Sequence, residues 1–514
     1  MLIQQSSGAT RLLAEIRKVG DFPALAHTVD VISSMTYSES TGSSALADTI
    51  LHDYGLTQKL LRMVNTLGYR QYGEVTTVTR AVLLMGFERI RNIATSLILF
   101  EHFRHHARTK PLVDLLNKAF FSGVLCRNIA QTTGYADGEE AFLTGLYHRI
   151  GQVLTAFYLP KDYASIQAVP VSERSRRTVE VLGSNYEMLG ATIARELHLP
   201  EVLQESLSSV SPNSQRRLMM RGERLSCLAT LSNEMTDVIA APGKLETRRQ
   251  ELDQLVAGYG AHITLPENLD DLLKAAATEA RTSATTFKLH LAGTPLMARL
   301  GHFASGQLDA GEDGAAESAS GDLIPEEEDP EPVVQLSPEV IVTQGLHEVT
   351  ALLVGDYSFD DVLRVVLETI YRALGVGRTR VLFLLKDPSK PILRFRFGFG
   401  HTPADATAFE EVVLAGTTDF LSQSVVLDKD IIVRNARIPS VAQALPPWLL
   451  KKGVLDRYLL LLPLTIERRA IGLFYIDGEK AAGSILSPSI INYLKLLRGQ
   501  VVLAIKRKRS SAQS

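Results

Sequence analysis

Apolar positions in the first part of the chain follow a helical period. Between Ala45 and Leu67, the residues Leu46, Ile50, Leu60, Val64 and Leu67 recur in three- and four-residue steps on either side of a break. Gly55 is read as that break, with Thr57 as a candidate cap for the second helix. From Val78 to Phe100 the rhythm continues through Ala81, Leu84 and Met85, then Ile90, Ile93, Ala94, Leu97 and Ile98, with Gly86 between the two parts. Helices are expected likewise over 115–134, 139–158, 186–197 and 201–210, punctuated by Pro160 and Pro200. No alternating strand pattern of any length precedes Gly301, so residues 1–300 are expected to form an all-α domain.

The period changes further along. Helices are predicted over 338–353 and 359–374, followed by a strand over 380–385 that ends at Asp387-Pro388. Residues 392–399 alternate, which places Leu393, Phe395 and Phe397 on one face of a second strand. Short apolar runs at 431–433, 458–465 and 470–475 read as further strands, with Glu467-Arg468-Arg469 as a hairpin turn. A last helix is predicted over 488–507. Helix, sheet and helix together give an α+β domain over 338–514.

Between these halves, residues 301–337 hold ten acidic residues and no Lys or Arg, among Gly, Ala, Ser and Pro. Such a segment buries too little apolar surface to offset its chain entropy, so a self-repelling, disordered acidic linker is expected, with a docking tail as the alternative. Net charge over all 514 residues is −3. Setting the linker aside leaves the folded parts mildly basic, with no global field directed at nucleic acid or an anionic membrane. The run Lys506-Arg507-Lys508-Arg509 closes the last predicted helix, where cations complement the dipole, and is read that way rather than as a nucleic-acid contact. Two cysteines, Cys126 and Cys227, are too few for a disulfide framework or a thiolate zinc site. With polar residues where a signal peptide needs an apolar run, and no apolar stretch long enough to span a bilayer, a cytoplasmic location is expected.

Four stretches of the helical half carry a family resemblance. They are Phe22-Pro23-Ala24-Leu25; the run from Leu51-His52-Asp53 to Val64-Asn65, an acidic turn leading into a helix that ends in Asn; the run Ala81 to Asn92; and Ala141 to Gly151, with His148-Arg149-Ile150-Gly151 at its end. In this order they resemble the HDOD family, a branch of the HD phosphohydrolase superfamily, over roughly Leu12 to Val210 and more loosely to Ala292. The resemblance implies an all-helical regulatory domain. In the parent superfamily, a His, an adjacent His-Asp pair and further His or Asp residues hold divalent metals that generate hydroxide for phosphoester hydrolysis.

Matched position by position, those ligands fail here. The His-Asp pair reads His148-Arg149, and an arginine keeps its charge at any accessible pH. Phe121-Ser122 stands where an early His precedes Ser, Tyr186 stands for a later His, and Ser208-Ser209 replaces a His pair. The resemblance therefore implies a degenerate pocket of Phe121, His148, Arg149 and Tyr186, with no catalytic residue, no metal and no cofactor. His148 is read as a packed remnant, with anion binding beside Arg149 as the alternative. Arg149 is expected to pair with a carboxylate, with Glu139, Glu140 and Glu187 in reach, or to project to solvent. Two further patterns are set aside: His52-Asp53 is read as a turn or cap, and His102, His105 and His106 beside Glu101 as a solvated basic helix end.

Residues from about Leu346 to Lys506 resemble a GAF domain. The resemblance rests on Asp360-Asp361-Val362-Leu363 opening a helix, the strand Arg378 to Leu385, and Leu462-Pro463-Leu464 followed by Ile471 to Asp477 as a closing hairpin. The cyclic-nucleotide signature of that family is missing, and His347 and His401 are its only histidines. Together the two resemblances imply a non-catalytic bacterial signal-transduction protein. The helical domain would bind a signalling protein, and the GAF-like domain would sense a small molecule or form a homodimer. A face of the last helix, Ile490, Ile491, Leu494, Leu497 and Val501, fits either the domain core or that dimer. The alternative is a degenerate metal-dependent cyclic dinucleotide or nucleotide phosphodiesterase.

Overall fold

The structure, a computed structural model, describes residues 7–18, 28–29, 31–35, 42–66, 74–105, 107, 109–196, 199–214, 216–266, 268–286, 294–305, 336–354, 357–409, 411–414, 416, 419–451, 453–479 and 486–511. Most of the acidic segment 301–337 lies outside these residues; its first residues complete a helix, Pro295–Ser305. The chain forms two compact units that do not follow its linear order. Met1–Ser34 and Arg91–Glu331 make one, and Met35–Ile90 and Pro332–Ser514 make the other.

The first unit is helical. Its elements include α4 (Phe87–His105, from Arg91 onward), α5 (Lys110–Thr133), α6 (Gly138–Tyr147), α7 (Ile150–Tyr158), α8 (Tyr186–Glu196) and α9 (Arg221–Ala240), numbered after three helices within 42–85 that belong to the second unit. Helix α5 is buried over most of its length and packs against α6 and α9. The rings of Phe100, Phe120 and Phe142 meet between α4, α5 and α6, with centroids 6.4 and 6.2 Å apart. Each fully buried side chain of this kind contributes about 1.5–3 kcal/mol relative to exposure. Asp137 caps α6 by accepting from the amides of Glu139 and Glu140. The helix starting at Glu201 stops at Glu205, shorter than the period suggested, because Leu207 turns inward and the chain leaves the helix there.

The second unit joins three helices to the α+β region. These are α1 (Gly42–Leu51), α2 (Tyr54–Thr66) and α3 (Val78–Met85). The break between α1 and α2 falls at His52-Asp53 and not at Gly55, which lies inside α2, and the cap is Asp53 and not Thr57. The Asp53 carboxylate accepts from the Leu56 amide at 3.0 Å, whereas the Thr57 hydroxyl donates back to the carbonyls of Ile50 and Asp53.

In the α+β region, α10 (Pro338–Val354) and α11 (Phe359–Leu374) precede a six-stranded antiparallel sheet of order β3-β2-β1-β6-β5-β4. Its strands are β1 (Thr379–Lys386), β2 (Ile392–Phe399), β3 (Val412–Val413), β4 (Ile431–Val433), β5 (Arg457–Ile466) and β6 (Arg469–Glu479), and α12 (Pro488–Ser511) closes the domain. Ser358 and Asp361 form a capping box at the start of α11. Helices α10 and α11 cross at Gly345, where a Cβ would collide with the Thr369 side chain. The β5–β6 turn has Glu467 and Arg468 in left-handed conformation, with φ of 48° and 62°, as a two-residue hairpin requires.

One sheet face, with Leu382, Leu384, Leu393, Leu459, Leu461 and Leu473, packs under the short helices between β2 and β5. The other carries Phe383, whose ring meets those of Phe359, Phe397 and Phe474. The expected single face for Leu393, Phe395 and Phe397 is therefore corrected. The β1–β2 register slips between Phe383 and Leu384, Arg396 is the extra residue, and the bulge moves Phe397 to the opposite face.

Ile490, Ile491, Leu494, Leu497 and Val501 of α12 are all buried in this domain's own core, while Leu496 and Leu503 point outward, about half exposed. The basic end of α12 docks locally. Lys508 donates to the Tyr357 carbonyl at 2.7 Å, and Arg507 donates to the Leu353 carbonyl at the end of α10. Among the described residues, no helix is long and apolar enough to cross a membrane.

Candidate functional site

His148 and Arg149 occupy a two-residue break. The apolar period suggested one helix from Glu139 to Tyr158, but α6 ends at Tyr147 and α7 starts at Ile150. Two contacts hold the break. Asn233 of α9 donates to the Gly145 carbonyl at 3.0 Å, satisfying one of the carbonyls that a helix end leaves without a partner. Just past the break, Gly151 lies so close to α8 that a Cβ would collide with the Tyr186 carbonyl oxygen.

The Arg149 guanidinium points at α9. Its Nε donates to Asn233 Oδ1 at 2.6 Å, and Nη2 donates to the Asn233 carbonyl at 2.7 Å. Nη1 and Nη2 reach the two oxygens of Asp237 at 3.1 and 2.6 Å. This is the planar, bidentate recognition for which arginine is suited and lysine is not. Lys118 adds a longer contact to Asp237 at 3.5 Å. Burial alone would push the Asp237 carboxyl up; the charges of Arg149 and Lys118 outweigh it and hold the carboxyl below its usual range.

None of the three carboxylates in sequence reach is this partner. Glu140 pairs with Arg221, and Glu187 accepts from the Ser209 hydroxyl at 2.5 Å. Asn233 and Asp237 lie one turn apart on a helix beyond the four motif stretches, and only that i,i+4 polar pair on a mostly buried helix marks them in the sequence.

His148 is buried. Its Nε2 lies 3.5 Å from the Ser209 hydroxyl. Burial first, and the neighbouring Arg149 charge second, lower its pKa from 6.5 to about 4, partly offset by the Ser206 main chain. The imidazole is thus neutral in the folded protein above about pH 4 and charged in the unfolded chain below about pH 6.5. Its contribution to stability is complete above pH 6.5 and is lost as pH falls towards 4. Denaturation midpoints should fall across that window, and His148→Gln should flatten that part of the profile; an identical acid slope in the variant would assign the effect elsewhere.

The other positions expected to line a pocket are apolar or internally bonded. Phe121 is fully buried on α5, and its neighbour Ser122 donates to Thr236 Oγ1 of α9 at 2.9 Å. Tyr186 opens α8 with its phenol pKa raised by burial. The Ser208 hydroxyl lies 3.3 Å from that of Ser226. This donor set does not fit a divalent metal: both Asp237 oxygens face a guanidinium, and the other positions offer a single imidazole, an aromatic ring, a phenol and two hydroxyls. Among the described residues, no cluster of three His, Cys, Asp or Glu side chains is placed to hold one.

The set-aside histidines divide. Asp53 is the helix cap described above. His102 is not solvated, because its ring packs against Phe103 and Phe157 with centroids 5.7 and 5.9 Å away, and the helix turns it inward. The His105 side chain and His106 lie outside the described residues. In the α+β region, His401 is half-buried against Phe395, with ring centroids 5.0 Å apart.

That region has its own charge cluster, which the sequence reading missed. Asp477, fully buried on β6, accepts from Arg380 Nη2 at 2.7 Å, Arg457 Nε at 2.5 Å and the Tyr475 hydroxyl at 2.5 Å. Arg380 also reaches Asp405 at 2.9 Å.

Residues 22–211 match the family described as the HDOD domain. Among solved structures, the chain is similar to a putative phosphohydrolase from Shewanella amazonensis, at 21% identity over 58% of this chain and 99% of that one, with a TM-score of 0.38. It is similar to an HDOD domain protein of unknown function from Geobacter sulfurreducens, at 14% identity over 51% of this chain and 91% of that one, with a TM-score of 0.39. It is also similar to the GAF domain of an Acinetobacter phosphoenolpyruvate-protein phosphotransferase, at 13% identity over 34% of this chain and 94% of that one, with a TM-score of 0.27. Comparison with curated proteins gives no match.

Proposed function

We propose that this chain is a non-catalytic, cytoplasmic signal-transduction protein whose HDOD domain binds a signalling protein and whose GAF-like domain senses a small molecule or pairs two copies. The observation that carries this reading is the Arg149–Asp237 pair with its Asn233 support. A guanidinium stands where the HD superfamily places a metal-ligating carboxylate, and it engages both oxygens of the carboxylate nearest to it. A fixed organic cation can hold helices together, but it cannot lower the pKa of a bound water or polarise a phosphoryl oxygen as a metal does. In the GAF-like domain, the outward Leu496 and Leu503 are the positions through which two copies would pair.

The competing reading is a phosphodiesterase with a rearranged site. Purified protein incubated with cyclic di-GMP, nucleoside triphosphates or nucleoside monophosphates, with Mg, Mn or Fe present, should give no turnover above buffer. Hydrolysis that disappears in His148→Ala would establish the competing reading instead.

A further inference from the structure

The N-terminus of α3 is closed by carboxylates from far along the chain. A helix start leaves amide donors without partners inside the helix. Here Glu348 of α10 accepts from the amides of Thr76 and Thr77 through Oε1, the latter at 2.9 Å, and from the Thr77 hydroxyl through Oε2. Glu368 of α11 accepts from the Val78 amide through Oε1 and the Thr79 amide through Oε2, each at 2.7 Å. Arg372, one turn along α11, donates to the Thr76 carbonyl at 2.5 Å. Both glutamates are buried, Glu368 completely. A buried carboxylate without donors is costly, so α3 satisfies the glutamates as much as they satisfy α3.

A second contact lies beside it. The His52 ring sits 6.5 Å from that of Tyr371 on α11, and His52 Nδ1 lies 2.7 Å from the Asp48 carbonyl of α1. The gripped residues frame the signature run from Leu51 to Asn65: His52 lies within it, and Thr76 to Thr79 follow it. Asp53 and Thr57 tie α1 to α2, as described above. Asn65, the last residue of that signature, donates to the Val75 carbonyl at 2.9 Å and accepts from the Val75 amide at 2.8 Å. Val75 directly precedes the capped amides, so an unbroken series of bonds runs from α1 through Asn65 to Glu348 and Glu368.

We propose that the α+β domain clamps the segment Gly42–Met85, which contains that signature run, through Glu348 and Glu368, making the segment the part of the HDOD domain that moves with α10 and α11. The joint carries any displacement of those two helices directly to Val75 and, through it, to Asn65. This does not depend on which partner or ligand the chain binds.

Hydrogen exchange on the full-length protein tests the clamp. Each glutamate uses both of its oxygens, so a glutamine can serve only one side and presents an NH2 group to the other donor. In Glu348→Gln/Glu368→Gln, the amides of Val75 and Thr77 to Thr79 should exchange roughly tenfold faster or more than in the unmodified chain, while β1, β5 and β6 stay unchanged. Unchanged exchange at those amides overturns the proposal, as does exchange at free-peptide rates in the unmodified protein. Where the double variant loses protection across the sheet as well, the unmodified chain decides. With a specific protease site placed within 306–335, the cut halves should co-elute on size exclusion. Separation of the halves overturns the clamp.

Discussion

Replacing Arg149 by Asp should destabilise the protein by on the order of 3 kcal/mol and recruit no metal. The substitution removes four hydrogen bonds, two of them to a carboxylate, and sets a second negative charge against Asp237. A bond to a charged group contributes about 1.5–3 kcal/mol, but the bonds act as one unit and their values do not add. Asp237 is half-exposed, so water recovers part of its solvation and the loss stays below that of a fully buried pair. Arg149→Met should cost less, because it removes the bonds without adding repulsion. The Asp variant restores the superfamily's His-Asp spelling at 148–149, yet Phe121, Tyr186 and Ser208-Ser209 still supply no further ligand. Denaturation monitored by circular dichroism, with elemental analysis of the purified variant, measures both effects. Tight metal uptake accompanied by a gain in stability would show that the other ligands are present after all.

Asp477→Ala should be at least as damaging in its own domain, at about 3–5 kcal/mol. Asp477 is the hub of the buried cluster on β1, β5 and β6. Without it, Arg380 keeps only Asp405 as a charged partner, and the Tyr475 hydroxyl loses its acceptor inside the core. Asp477→Asn should cost less, since an amide oxygen still accepts. Trp448, the single tryptophan of the chain, packs edge-on against Phe409, with ring centroids 5.0 Å apart, in the core that also contains Tyr475. Urea denaturation followed by its fluorescence therefore reports on this domain directly. A loss under about 1 kcal/mol for the alanine variant would mean that the cluster is a solvated ornament rather than a structural element.

What could be read from the chain alone was set by the range of the interactions involved. The period of apolar residues located α3, the 359–374 helix, β2 and β4 to within a residue, because burial of one face is written locally. The Glu467-Arg468 turn was legible from the polar residues between two apolar runs. The short helices between β2 and β5 were not, because four to eight residues hold too few apolar positions to show a period. The bulge at Arg396 was hidden for another reason: strict alternation in the sequence is what an unbulged strand would also show.

At the expected pocket, the residue types at 121, 148–149 and 186 were on view in the sequence, but the partner of Arg149 was not. Asp237 is 88 residues away, and charge type alone made Glu139, Glu140 and Glu187 equally eligible. Glu348 and Glu368 look like ordinary helix-surface acids. Only the fold shows that they face the start of another helix.

That arrangement has a consequence for how the protein is made. Residues 42–85 leave the ribosome long before the glutamates that close α3. At roughly 5–20 residues per second, Glu368 is synthesised on the order of half a minute after Met85. During that interval the amides of Thr76 to Thr79 have only water for partners, and a nascent chain holding a nearly complete helical region is still one clamp short. Assembly of the HDOD domain therefore cannot finish in the direction of synthesis. Its early signature segment must wait, as an unfinished edge open to chaperones or to premature pairing, until the C-terminal helices arrive.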